Sequence, residues 1–190
     1  LIVVMSVMNG FRSELINKIV GFNAHVTVKP YENKIDINEL EKINLKLLSK
    51  NLILSNTGEA IIITKNNSKG IVLRGYSSKD FSKLQFINNE TFIGNKKKLE
   101  KNFISIGKEL SFTLGLKLGD DISIMSSSGI DTIIGSLPKK KNFTVNSLFE
   151  SGLADFDNNV AFINIDTLDN FFDLNKRNRN LEIYLKNPQN

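Results

Sequence analysis

The chain has no cysteine, one histidine and three prolines in 190 residues. Without cysteine there is neither a disulfide framework nor a thiolate metal site, and the absence fits a reducing or an oxidising compartment equally. The lone histidine, His25, stands in the run AHVTV with no second histidine to share a metal, so it reads as a structural residue of a strand. Neither GxxxxGK[ST] nor GxGxxG occurs, so this stretch of chain has no loop of its own to cradle ATP, and no cofactor is expected. Asp120 and Asp121 lie at a strand entrance, where acidic residues terminate turns, and do not read as an acid/base pair. Internal repeats are missing, as are low-complexity tracts beyond short lysine runs. The apolar opening LIVVMSVM falls short of the about 20 residues that span a bilayer. No charged region or small-residue cleavage site marks it as a signal peptide. Nothing here points to an enzyme.

Hydrophobic residues at 41% and charged residues at 24% mark a globular chain, long enough for one domain or two small subdomains. The net charge of +5 comes largely from dispersed lysines. They cluster only at residues 96–98 and 139–141. Neither cluster is interleaved with aromatics as a stacking platform requires, so no nucleic-acid partner is expected.

Apolar spacing at Phe11, Leu15, Ile19 and Phe22 predicts a helix ended by Gly21. Residues 24–29 alternate as a strand closed by Pro30. Asp36 or Asn38 can cap a helix to about Leu48, burying Leu40, Ile43 and Leu47. Residues 59–64 and GIVLRGY (70–76) read as an antiparallel pair, residues 77–86 as a short helix, and 88–101 as a basic connection. The order βαββ points to an α+β fold. A strand at 103–106 meets the turn glycine Gly107, and a helix follows with Leu110, Leu114 and Leu118 on one face. Gly119 and Asp120 lead into the strand of Ile122 and Ile124. A strand at 143–149 follows later, then a helix at 166–173 capped by Asp166. The run LEIYL (181–185) alternates again and should return to the first sheet.

Between the strands at 122–124 and 143–149 lies a polar, glycine-containing excursion, residues 126–141. Hairpin loops usually take 2–5 residues, and longer ones are often functional. Its apolar Ile130, Ile133, Ile134 and Leu137 are followed at once by Lys139, Lys140 and Lys141, the pattern of an apolar docking patch rimmed by charge. Packing of those isoleucines back onto their own domain is the other reading open from sequence.

Four ordered pieces carry a resemblance: SVMNGFRSEL (6–15), IGKELSFTLGLKLGDDISIM (106–125), GSLPKKKNFTV (135–145) and NNVAFINIDTLDNFF (158–172). Together they resemble the periplasmic domain of lipoprotein-releasing ABC transporter permeases, the LolC/LolE family, with its MacB-like periplasmic core. The resemblance implies an α+β fold with a split membrane-proximal subdomain (residues 9–86 and 180–190). It implies an inserted, more β-rich subdomain (87–179) carrying a protruding β-hairpin hook near 126–141. Residues 1–8 would be the remnant of a first transmembrane helix, and the chain would be a periplasmic piece of a multi-pass inner-membrane protein. The hook would be formed by Ile130, Ile133, Ile134, Gly135, Leu137 and Pro138, beside a basic pad of Lys139, Lys140 and Lys141. Both would grip a soluble LolA-type lipoprotein carrier. Val4, Met5, Val7 and Met8 would contact the lipoprotein. A second permease subunit, the same or paralogous, and a cytoplasmic ATPase are the other implied partners. Two positions depart from the family pattern: Ser127 stands for a proline that opens the hook, and Ser123 for a basic pad residue. The alternatives are the extracytoplasmic domain of an efflux or cell-division permease, and a basic soluble adaptor or nucleic-acid-binding protein.

Overall fold

One long strand organises the molecule. The computed structural model describes residues 2–30, 35, 45–65, 67–96, 99–132 and 135–186, an α+β protein over that extent. The strands are β1 (Val26–Val28), β2 (Ser49–Ile63), β3 (Ser68–Tyr76), β4 (Ile93–Gly94), β5 (Phe103–Gly107), β6 (Asp121–Thr132), β7 (Gly135–Phe149), β8 (Val160–Asn164) and β9 (Asn180–Leu185). The helices are α1 (Ile2–Phe22), α2 (Leu45–Leu48), α3 (Ser78–Phe81), α4 (Lys108–Leu114), α5 (Ala154–Asn159) and α6 (Ile165–Phe172), with 3-10 turns at Gln85–Asn88 and Lys176–Asn178.

Strand β2 belongs to two sheets. Its first half, 49–55, pairs antiparallel with β9, whose far edge carries β1. Its second half pairs with β3 along 56–63 and with β6 along 60–63. From there the ladder closes on itself. Strand β3 pairs parallel with β8, β8 antiparallel with β5, β5 parallel with β7, and β7 antiparallel with β6. The result is a closed barrel of strands β2, β3, β8, β5, β7 and β6. Alternation sends two side chains from each strand inward: Ala60 and Ile62, Ile71 and Leu73, Ala161 and Ile163, Ile104 and Ile106, Phe143 and Val145, Ile122 and Ile124. A barrel this narrow is filled by such residues and leaves no channel.

Two helices close its ends. Helix α4 and the turn after it contribute Leu110, Leu114 and Leu116 at one end. Helix α6 contributes Leu168 and Phe171 at the other, lying against the glycines Gly58 and Gly75 of β2 and β3. At Gly107 a β-carbon would sit on the backbone carbonyl of Asp157, so only glycine lets α5 approach β5 there. A second core covers the outside of the barrel wall around Phe162. The rings of Phe149 (4.9 Å), Phe86 (5.3 Å), Phe81 (5.7 Å) and Tyr76 (5.8 Å) surround it at aromatic packing distance.

The structure differs from the sequence reading in several places. Gly115 adopts a left-handed conformation (φ 65°) and stops α4, so Leu116 is buried at the barrel end and Leu118 is exposed rather than on the helix face. Asn164, not Asp166, caps α6, its side chain accepting from the Asp166 and Thr167 amides. That frees the Asp166 carboxylate for ion pairing. The expected helix before Leu48 falls mostly outside the described residues; Leu45–Leu48 is helical, and Leu47 is exposed where burial was expected. The turn gives way to β2 at Ser49, so among the described residues Leu47 has only one helical turn around it. Strand β2 starts at Ser49 rather than near 59. The second half of β2 and all of β3, placed by sequence with the first subdomain, take positions in the barrel wall.

Candidate docking arm and basic rim

Of residues 126–141, read from sequence as an excursion between strands, 126–132 and 135–141 are themselves strand. Within the barrel, β6 and β7 pair from Asp121↔Thr144 to Met125↔Lys140. Pairing then resumes from Gly129↔Pro138 to Thr132↔Gly135. Between those registers β6 uses two more residues than β7, a bulge at the point where β6 parts from β2 at the Ala60↔Ser126 pair. Beyond the bulge no third strand flanks the pair among the described residues. The outcome is a two-stranded arm leaving the barrel at the end closed by α6. At about 3.3 Å per residue, the returning strand carries it roughly 13 Å past Lys139.

Gly135, Leu137 and Pro138 lie on that returning strand, and Leu137 is 54% exposed. Ile130 faces Leu137 in the register. Ile133 and Ile134 lie outside the described residues. Pro138 removes a backbone donor from an unpaired edge, which discourages indiscriminate strand addition there.

The lysines at the arm root diverge. The Lys139 amide donates to Ser126 Oγ at 3.0 Å, and its ammonium pairs with Asp173, the left-handed residue that ends α6. Lys140 is exposed. The Lys141 ammonium lies 5.5 Å over the Phe143 ring. Burial first, and the charge of Lys101 second, hold the Lys141 ammonium below its ordinary pKa. Ser123, at a position where a basic residue was looked for, donates its hydroxyl to Asn142 Oδ1 at 2.7 Å.

Two polar knots that the sequence reading missed secure this end of the barrel. The buried carboxylate of Glu182 accepts from Ser55 Oγ (2.7 Å), Arg74 Nη2 (2.9 Å), Tyr76 OH (2.9 Å) and Tyr184 OH (3.0 Å). Burial raises both tyrosine hydroxyls well above their usual pKa, so each remains a donor to Glu182. Burial alone would lower the Arg74 pKa; Tyr76 and Glu182 reverse that and raise it. In the second knot the buried Asp169 accepts from Asn56 Nδ2 (3.0 Å) and Arg179 Nε (2.8 Å), while Asp166 pairs with Arg179 (2.6 Å) and Lys176 (2.9 Å). One signal was available in the sequence: Arg74 interrupts the apolar run IVLRGY, and a charge inside a buried strand implies a buried counter-charge.

Helix α1 carries Val4, Met5, Val7 and Met8, each 59–66% exposed. Among the described residues no helix is long and apolar enough to cross a membrane. His25 accepts the Leu185 amide at Nδ1 (2.8 Å) and meets the Tyr184 ring edge-on, joining β1 to β9. No group of three His, Cys, Asp or Glu among the described residues could hold a metal.

No known family profile matches the chain. Over 198 aligned residues it is 27% identical to the lipoprotein-releasing system transmembrane protein LolC of Neisseria meningitidis serogroup B, which covers 100% of this chain and 47% of that protein. The chain resembles LolC from end to end. It spans about half the length of the LolC relatives it matches. Among solved structures, the periplasmic region of MacB from Actinobacillus actinomycetemcomitans superposes with a TM-score of 0.52 at 10% identity, covering 93% of this chain and 82% of that one. The extracellular domain of the noncanonic ABC-type transporter YknZ from Gram-positive bacteria does so with a TM-score of 0.50 at 11% identity, covering 85% and 84%. At such identities the likeness is one of fold. The LolC-like sequence thus has the fold seen in extracytoplasmic domains of ABC permeases, and the α+β class expected from sequence stands.

Proposed function

We propose that the chain is the periplasmic portion of an inner-membrane ABC permease that releases lipoproteins, and that its arm docks the soluble LolA-type carrier that receives them. The single observation that carries this reading is the β6–β7 arm, unflanked among the described residues, with Leu137 exposed beside lysines, on the segment where the LolC resemblance implies a hook. An apolar tip entering a carrier cavity gains about 1.5–3 kcal/mol per buried leucine or isoleucine, less the cost of ordering. That balance suits a brief handover. In this reading the sheet of β1, β9 and the first half of β2 is the membrane-proximal part, and the arm leaves the barrel at the end from which that sheet extends. Val4, Met5, Val7 and Met8 meet the acyl chains of the lipoprotein. The permease works with a second permease subunit and a cytoplasmic ATPase, and has no catalytic residue of its own.

A second reading, the extracytoplasmic domain of an efflux or cell-division permease, draws on the fold likeness to the MacB and YknZ domains. It leaves the arm without a carrier. Binding of the chain to the carrier of the same organism separates the two. The native chain should bind, and Ile133→Glu/Ile134→Glu or Leu137→Glu, with folding checked by circular dichroism, should weaken binding at least about tenfold. Equal binding by the variants removes the arm as the docking element. No binding by the native chain favours the second reading.

A further inference from the structure

The positive charge at the arm root extends beyond the arm. Lys101 lies just before β5, at the barrel end from which the arm leaves, and is exposed. Its backbone is fixed on both sides: the Thr167 hydroxyl donates to the Lys101 carbonyl at 3.1 Å, and the Thr144 amide donates to the Asn102 carbonyl at 2.8 Å. Thr144 belongs to β7 three residues after Lys141, so a different strand delivers Lys101 to the same rim. After burial, the Lys101 charge is the second cause that holds the Lys141 ammonium below its ordinary pKa. The α6 carboxylates at this end are already engaged. Asp173 pairs with Lys139, Asp169 with Arg179, and Asp166 with Arg179 and Lys176. Neither Lys101, Lys140 nor Lys141 makes an ion pair among the described residues. Like charges held together without a counter-ion cost free energy in the unbound protein, and an incoming carboxylate relieves that cost.

We infer that Lys101 joins Lys140 and Lys141 as the cationic contact for an acidic patch on the docking protein, and that Lys139 is a positioning residue that fixes the arm root through Asp173. The occupant is a protein surface because the cations adjoin the apolar arm, the arrangement of an interface rim around an apolar centre. The inference rests on the carrier-docking reading and adds a residue from outside the arm.

The test is the association rate of the full chain with the carrier, measured at low and high ionic strength for the native protein and for Lys101→Glu, Lys140→Glu/Lys141→Glu and Lys139→Gln. Lys101→Glu should slow association about 5-fold or more at low salt, with the difference closing at high salt as the charges are screened. Lys139→Gln should keep the native salt dependence. If Lys101→Glu associates like the native chain while the double variant is slowed, Lys101 is not a contact and arm docking survives. If Lys139→Gln loses salt dependence as Lys101→Glu does, Lys139 is a contact and its positioning role is overturned. If the native chain does not bind, the docking reading falls and this inference falls with it.

Discussion

Strands β6 and β7 live in two environments along one length of chain. Up to the Met125↔Lys140 pair both belong to the closed barrel, β6 pairing also with β2 along 123–126 and β7 with β5 along 144–149, and Ile122, Ile124, Phe143 and Val145 are sealed inside. Past the bulge, among the described residues, the same two strands have only each other, and Leu137 stands in solvent. The residues of the barrel half are replaceable only at a cost in stability, whereas those of the arm half are free to serve a partner. Stability and recognition are therefore separated along a single hairpin, with the division at residues 126–128.

The largest expected effect tests the barrel side of that contrast. Phe162→Ala removes the ring at the centre of the outer aromatic core and should cost about 3–5 kcal/mol in chemical denaturation. Glu182→Gln leaves the Arg74 guanidinium buried without its counter-charge and should cost about 3 kcal/mol by the same measurement. Asp166→Asn probes the exposed edge of the second knot. Hydrogen bonds from Lys176 and then Arg179 hold the Asp166 carboxyl below its usual pKa. Its contribution is complete above the ordinary carboxylate range and lost as pH falls through the lowered folded value. The variant should lose under about 1 kcal/mol near neutrality and match the native protein in strong acid. The smallest effect belongs to the arm: Leu137→Ala should shift stability by less than about 0.5 kcal/mol. Hydrogen exchange gives the contrast directly, with amides of residues 129–132 exchanging far faster than those of residues 104–106. Slow exchange in the arm, or a large loss from Leu137→Ala, would break the division proposed above.

Much of the local structure was legible in the sequence. The two-residue alternation of Ile122 and Ile124, of residues 70–76 and of residues 181–185 marks strands, and each of these runs is one. Residues 126–141 looked like a loop because glycine, proline and lysine depress local strand propensity. Their pairing comes instead from continuing the register of the two barrel strands beyond the bulge, which no local pattern reveals. Closure of the barrel rests on Ala60 meeting Ser126, and the Glu182 knot on residues more than a hundred positions apart. Periodicity gives each strand a face but does not say which strand will lie beside it. The excursion at 126–141 could thus be marked out from the chain alone, while its strand pairing, Lys101 and the pairing of Lys139 with Asp173 could not.

Strand β2 runs unbroken from the side sheet into the barrel wall, fifteen residues or about 50 Å of continuous backbone. A hinge between those regions would have to break its ladder, so the two parts turn together like an oar and its blade. Tilting one end of such a lever by about 5° sweeps the other through about 4 Å, a little less than the spacing between neighbouring strands. A small rotation applied at the side sheet therefore arrives at the far end of the barrel as a displacement large enough to change which surfaces meet.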